Sequence, residues 1–348
     1  MNEGTRMDHM DSMARYSRQI AYSNIGVAGQ ERLAASRIAV VGIGALGTVI
    51  ANSLARAGVG HLRLIDRDYV EESNLQRQCL FTEEDARAGL PKAEAAALRL
   101  GAVNSGITIE PVVIDLDAGN AERLLSDVDV VVDGSDNFEL RYLVNDVCLK
   151  LDRPWVYGGA LMDAGVTMNI LPGAGPCLRC LLPEPPSAGS QQTCASAGVL
   201  NMITGVIGNI EAAEAMKLAL RSPQVRTTFL SINLWNSSFR EVELARDPEC
   251  PACAHGRYDF LSRARESRAV SLCGRDSIQI SPADGTVVDF SVVSERLRHL
   301  GTVRSSDFML IFSGGDREIR LFKDGRAIIS KVRDATQAKS IYSEYIGL

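Results

Sequence analysis

A doubly wound, mostly parallel α/β sheet with an antiparallel extension, followed by a small α+β module, is the fold class that the 348-residue sequence predicts. Three observations carry it. From Ile38 to about Tyr157 short apolar runs alternate with helical stretches, the rhythm of parallel strands joined by crossover helices. Beyond Val166 the strand-like runs lack crossover helices, so antiparallel pairing is expected there. Near residue 265 the charge changes: residues 268–348 hold 12 Lys/Arg against 10 Asp/Glu, whereas 1–267 hold 25 against 33. The expected division is therefore 13–262 for the main domain and 268–348 for the module.

The elements follow in order. Ile38–Val41 reads as a buried strand, Gly42 to Gly47 as a turn, and the stretch through Ala57 as a helix. Gly58 and Gly60 end that helix, and His61–Ile65 with Asp66 forms the next strand. This βαβ unit predicts a right-handed crossover. Ile107–Ile114, a helix near Ala118–Leu125, Val128–Val132, the acidic turn Asp133–Asn137, a helix to about Leu151 and Trp155–Tyr157 continue the pattern. Val166–Leu171, Thr228–Leu234 and Phe239–Leu244 make the extension. A helix from about Val199 to Leu220 carries one apolar face. Residues 183–193 read as a loop. In the module, two strands, a helix (Val292–Leu300), two strands (Phe308–Phe312 and Glu318–Phe322) and a helix (Thr336–Tyr345) are expected.

Composition excludes several function classes. A net charge of -6 argues against broad nucleic-acid binding. Within the uncharged run 185–210, the mainly apolar part, Ala195–Ile210, is 16 residues and still holds Asn201, Thr204 and Asn209, short of the ~20 apolar residues that cross a bilayer. With no apolar signal-type run at the N-terminus, a cytoplasmic protein without membrane contact is expected.

Gly42, Gly44 and Gly47 form the G-x-G-x-x-G fingerprint between a strand and a helix, the context a Rossmann-like nucleotide site requires. Such glycines let backbone approach phosphates, and the helix start offers free N–H donors. Asp66, at the end of the second strand, is placed to accept from ribose hydroxyls. The pattern alone leaves NAD, FAD and ATP open. Asn74-Leu75-Gln76-Arg77-Gln78 follows, and then Pro91-Lys92. Pro91 suits a first helical turn, so Lys92 stands against the helix dipole, which points to an anionic ligand; a solvated lysine is the alternative. Asp136, in a loop at the C-terminal edge of the sheet, is a candidate Mg²⁺ ligand. Together these charges describe a triphosphate site better than a nicotinamide one.

Cys177-Leu178-Arg179-Cys180 and Cys250-Pro251-Ala252-Cys253 supply four thiolates, enough to close a structural Zn²⁺ site. They would clip together segments 69 residues apart. A redox pair or an iron–sulfur cluster are the other readings. Cys194 precedes a helix and reads either as a nucleophilic thiol or as an inert one. Cys79, Cys148 and Cys273 fit core or strand positions, and His9, His61, His255 and His299 read as surface.

Arg15-Tyr16-Ser17-Arg18-Gln19, the glycine turn, Asp66, Asn74–Gln78, Lys92, Asp133–Asn137 and the paired knuckles resemble the ThiF/MoeB/HesA family, relatives of the ubiquitin-activating enzymes. The resemblance covers about residues 13–260 and is nearest to thiazole-biosynthesis adenylyltransferases of the ThiF type. It implies ATP-dependent adenylylation of the C-terminal carboxylate of a ubiquitin-like sulfur carrier ending in Gly-Gly, for thiamin thiazole or molybdopterin synthesis. It further implies that Asp66 holds the ribose, that Asn74 joins the nucleotide site, that Arg77 and Lys92 hold the phosphates, and that Asp136 holds Mg²⁺. Arg18 would reach the other subunit's nucleotide in a homodimer, and Cys194 occupies a position some members use in sulfur transfer. Unlike relatives with a rhodanese domain, residues 268–348 show no reactive cysteine loop, so a separate sulfur donor is expected. Two rival functions are an NAD-dependent dehydrogenase and a zinc-stabilised, non-catalytic nucleotide-binding scaffold.

Overall fold

The computed structural model describes residues 13–186, 197–262, 268–271, 277–282, 287–306, 308–315 and 317–347. The chain forms two compact units, 1–263 and 264–348.

The first unit is built on an eight-stranded sheet of order β3-β2-β1-β4-β5-β6-β7-β8. β1 (Arg37–Val41), β2 (His61–Asp66), β3 (Thr108–Val113), β4 (Val130–Asp133) and β5 (Trp155–Leu161) run parallel. β6 (Ala164–Ile170), β7 (Phe229–Asn233) and β8 (Ser238–Val242) extend it antiparallel, as expected. The register of β1 explains its continuous apolar run. Ile38 pairs with Leu62 on one side and Val130 on the other, and all of Ile38–Val41 is buried. Successive side chains face opposite ways. Ile38 and Val40 enter a core with the helices Ala45–Ala57, Lys92–Val103 and Asn201–Ala219; Ala39 and Val41 enter a second core with the helix Phe138–Lys150 and the cysteine knuckles.

The strand order reverses between β1 and β4. That switch point leaves a crevice at the carboxyl ends of the two strands, where ligands of open α/β sheets bind. A 3-10 turn (Glu72–Asn74) and a helix (Glu83–Ala88) were not foreseen. The helix starts in a capping box: Thr82 accepts from the Asp85 N–H while Asp85 accepts from that of Thr82. The long helix spans Asn201–Ala219, within the expected Val199–Leu220.

The second unit is a six-stranded antiparallel sheet, β11-β12-β13-β14-β10-β9, with helices at Phe290–Leu297 and Ala335–Tyr345. The expectation of four strands was too low. β11 (Thr302–Ser305) and β14 (Ala327–Ser330) join β9 (Arg268–Ser271), β10 (Ser277–Ser281), β12 (Met309–Gly314) and β13 (Arg317–Phe322). Both missed strands are four residues long, too short for alternation to show. Asp289 and Asp334 cap the two helices.

Candidate functional site

Three glycines meet at the switch point. Gly42 ends β1 at φ +89°, a left-handed conformation that favours glycine. Its N–H donates to Ile65 O at 2.7 Å, and the Gly134 N–H to Val41 O at 2.8 Å, so the turns after β1 and β4 each continue their sheet pairing. A Cβ on Gly47 would stand 1.9 Å from Gly42 O, and one on Gly134 2.2 Å from the same oxygen. The backbone closes on itself there and leaves no room for side chains. Gly44 is the N-cap of Ala45–Ala57 and offers no capping side chain, so N–H groups at that helix start are available to an anion.

Asp66 ties this turn to the next loop. One oxygen accepts from the Ile43 N–H at 2.6 Å and the other from the Asp68 N–H at 2.7 Å. Burial pushes its carboxyl above the usual range, and Asp68 adds to this, while the charge of Lys92 opposes them. Lys92 is not a solvated lysine. It is 6% exposed, opens its helix at residue one, and its Nζ lies 3.3 Å from Asp68 Oδ2. The buried Lys92 and the half-buried Asp66 and Asp68 therefore form one charged group beside the glycine turn.

Asn74 is buried, and its Oδ1 accepts from the Glu71 N–H at 3.1 Å, closing the 3-10 turn. That turn carries Arg77, half-buried, whose Nη1 donates to Ser73 O at 2.8 Å. Arg77 makes no ion pair among the described residues. Asp136 is exposed at the end of the β4 turn, and its charge acts on Arg67 and Arg141. Arg67, paired with Asp115 at 3.1 Å, is a cation near the site that pattern reading missed. Arg141 was missed too. Its Nε donates to Asp133 at 2.9 Å, and its Nη2 donates to Ser135 O at 2.7 Å and Gly158 O at 2.8 Å. Burial raises the Asp133 carboxyl while Arg141 opposes that rise. This buried pair sets the shape of the turn that presents Asp136.

Arg18 is exposed on a short helix, Ser17–Ile20, whose Gln19 Nε2 donates to Ala57 O at 2.8 Å. Ala57 ends the helix that Gly44 starts, so 13 residues, about 20 Å of helix axis, separate that anchor from the glycine turn. Cys194 lies outside the described residues, as do His9 and Cys273.

The four knuckle sulfurs all lie within 4.8 Å of one another, with Cys177–Cys250 at 3.6 Å, Cys180–Cys253 at 3.5 Å and Cys177–Cys180 at 4.0 Å. A tetrahedron with Zn–S of about 2.3 Å has edges of about 3.8 Å, so the donor set fits the ion. Burial raises the Cys180 thiol to about 11 and that of Cys177 further. A bound cation is what would make them thiolates. Among the described residues this is the one group of three or more His, Cys, Asp or Glu side chains able to hold a metal. The knuckles are anchored to the Phe138–Lys150 helix: Leu178 N–H donates to Asn145 Oδ1 and Phe260 N–H to Asp146 Oδ2, each at 2.9 Å.

Two lesser expectations are corrected. Cys79 is exposed rather than in core or strand, because it lies in a turn before the Glu83–Ala88 helix. His61 is not a surface histidine: it bonds Glu110 at 2.8 Å, beside an Arg63 bridged to Glu110 and Asp127, at the edge of the sheet opposite the glycine turn.

The ThiF family matches residues 16–252. The sulfur carrier protein ThiS adenylyltransferase of Bacillus subtilis is 38% identical, over 96% of this chain and 99% of its own. The SAMP-activating enzyme E1 of Haloferax volcanii is 41% identical over 74% of this chain and 96% of its own. The structure of Escherichia coli MccB with ATP aligns at a TM-score of 0.60 and 24% identity, covering 69% of this chain and 74% of that one, a likeness of fold. The glycine cradle, the Asp66–Lys92 group and the cysteine quartet thus lie within a chain that belongs to the ThiF family.

Proposed function

We propose that the protein uses ATP to adenylylate the C-terminal glycine carboxylate of a small ubiquitin-like sulfur carrier, priming it for thiocarboxylate formation. The observation that carries this reading is the 38% identity with a ThiS adenylyltransferase over nearly the whole of both chains, second unit included. A chain-terminal carboxylate has a pKa near 3.5 and is ionised at neutral pH, so the reaction needs no general base. One carboxylate oxygen bonds to the α-phosphorus; the bond from that phosphorus to the bridging oxygen breaks, and pyrophosphate leaves with the electron pair. Catalysis then consists of positioning and charge neutralisation, consistent with a site that holds Arg, Lys and Asp.

In this reading the glycine cradle takes the phosphates against the Ala45–Ala57 helix start, and Asp66 holds the ribose. Asn74 shapes the loop that brings Arg77 to the phosphates, and Lys92 neutralises them from below. Asp136 holds Mg²⁺, which needs few protein carboxylates when phosphates supply other ligands. The anchor of Arg18, about 20 Å of helix from its own glycine turn, supports action on the partner's nucleotide in a homodimer. Zn²⁺ in the four-cysteine site is structural. Cys194 serves sulfur transfer from a separate donor, in a thiamin or molybdopterin route.

The test is ATP–pyrophosphate exchange with a carrier ending in Gly-Gly. Asp136→Asn and Arg77→Ala should each abolish it while the far-UV spectrum and zinc content stay unchanged. Full exchange in either variant, or tight NAD binding with no response to ATP, would overturn the reading.

A further inference from the structure

Glu211 has no task in the reaction so far described. It lies in the Asn201–Ala219 helix at 0% exposure, and neither of its carboxyl oxygens has a hydrogen-bond partner among the described residues. The carboxyl lies against Gly158 of β5 so closely that a Cβ there would stand 2.2 Å from Oε1 and 2.5 Å from Oε2. A buried, unpaired carboxylate is too costly to persist, so Glu211 carries its proton. Burial and the charge of Asp133 both favour the neutral form, against Arg141 and Arg226.

Gly158 leads directly to the Asp136 turn. Its carbonyl accepts from Arg141 Nη2, the nitrogen that also donates to Ser135 O. Asp133, paired with Arg141 Nε, accepts the Ser135 N–H at 2.9 Å and the Ser135 hydroxyl at 2.6 Å. Asp136 is the next residue. We propose that Glu211 is a positioning residue for the nucleotide site: its carboxyl, seated on Gly158, keeps Arg141 on Asp133 and Ser135 and so fixes the turn that carries Asp136.

The charged groups around Glu211 define how this works. They are Asp133 of β4, Arg141 of the Phe138–Lys150 helix, Tyr157 of β5 and Arg226 before β7. Arg226 reaches Thr167 Oγ1 at 3.3 Å, and Thr167 is the cross-strand partner of Gly158. One turn along the helix, Glu214 is already engaged by Lys217, Asn169 and the Arg226 N–H. If Glu211 ionised, it would be a second carboxylate competing with Asp133 for Arg141, and the turn would loosen. Glutamine keeps the shape and cannot ionise.

The task given to Asp136 rests on the adenylation reading; the coupling from Glu211 to the turn does not. The experiment is amide hydrogen exchange on the full chain, comparing wild type with Glu211→Gln at equal pH, so that intrinsic exchange cancels. Near neutral pH the Gly134–Asn137 segment should be equally protected in both; as the pH is raised through the ionisation of Glu211, which burial holds well above the ordinary carboxylate range, it should exchange about five-fold faster in wild type only. Glu211→Met, also unable to ionise, should follow the glutamine variant and guards against a folding defect in either. In pyrophosphate exchange, the KM for ATP should rise with pH in wild type and stay flat in Glu211→Gln. Equal protection of the segment in both proteins over the whole alkaline titration, up to the pH at which the fold is lost, or loosening spread evenly over the sheet, overturns the proposal. Absence of pyrophosphate exchange with the pH-dependent loosening intact overturns the adenylation reading and supports the coupling.

Discussion

Lys92 has no solvent to hold its charge and stands at the end of a helix that repels it, yet the fold keeps it there. Asp68 at 3.3 Å and the charge of Asp66 make this tolerable. Lys92→Met should therefore reduce nucleotide affinity at least tenfold, about 1.4 kcal/mol or more, measured by titration with ATP, and should lower the unfolding free energy by about 3 kcal/mol because it removes the cation beside Asp66 and Asp68. Gly47 is decided by sterics alone. Its absent Cβ would overlap Gly42 O at 1.9 Å, and Gly47→Ala should cost about 3 kcal/mol or more in urea unfolding. Asp146 is decided by burial, which lifts its carboxyl to about 6. An acid raised in the folded state is stabilising only below its unfolded value near 3.9, and the benefit is lost as pH climbs to about 6. Asp146→Asn retains the acceptor for the Phe260 N–H and has no charge to bury. Its unfolding free energy relative to wild type should rise between about pH 4 and 6, by on the order of 2 kcal/mol, then level off.

Among the elements, the Phe138–Lys150 helix does the most joining. Its first turn presents Arg141 to Asp133 at the end of β4, and its middle holds both cysteine segments through Asn145 and Asp146. Its N-cap, Asn137, accepts from the Glu139 N–H at 2.9 Å and fixes where the acidic turn stops and the helix begins. Cys177 and Cys250 share one core with this helix, Ala39 and Val41. Cys177→Ser should lose bound zinc and lower the unfolding free energy by roughly 3 kcal/mol or more; a zinc-replete, fully stable variant would show that the four sulfurs do not share an ion.

At the scale of the whole molecule, the second unit buries a core of its own besides the two of the first, which implies two separable units. A chain ending at Arg263 should fold, bind zinc and bind ATP as tightly as the full protein. If deletion instead abolishes nucleotide binding, the two units are not separable. If the chain pairs as proposed, a mixed dimer of Arg18→Ala and Asp136→Asn subunits should recover one of its two sites, about half of a wild-type dimer's activity, from two inactive parents.

The sequence by itself determined the βαβ rhythm, the glycine turn, the four cysteines and the antiparallel extension. Each of these rests on local spacing: strand period, helix period, a tight turn, a two-residue gap between ligands. It also exposed Asp66, Lys92 and Asp136 as charges in unusual places. Only the tertiary structure decided that Lys92 is buried against Asp68, that Arg67 and Arg141 stand beside the site, and that Glu211 lies on Gly158. Those contacts join residues tens of positions apart, and no periodicity encodes them. Burial sets the protonation of Glu211 and Asp146, and burial belongs to the packed chain: a carboxyl becomes costly to ionise only when the elements around it have excluded water.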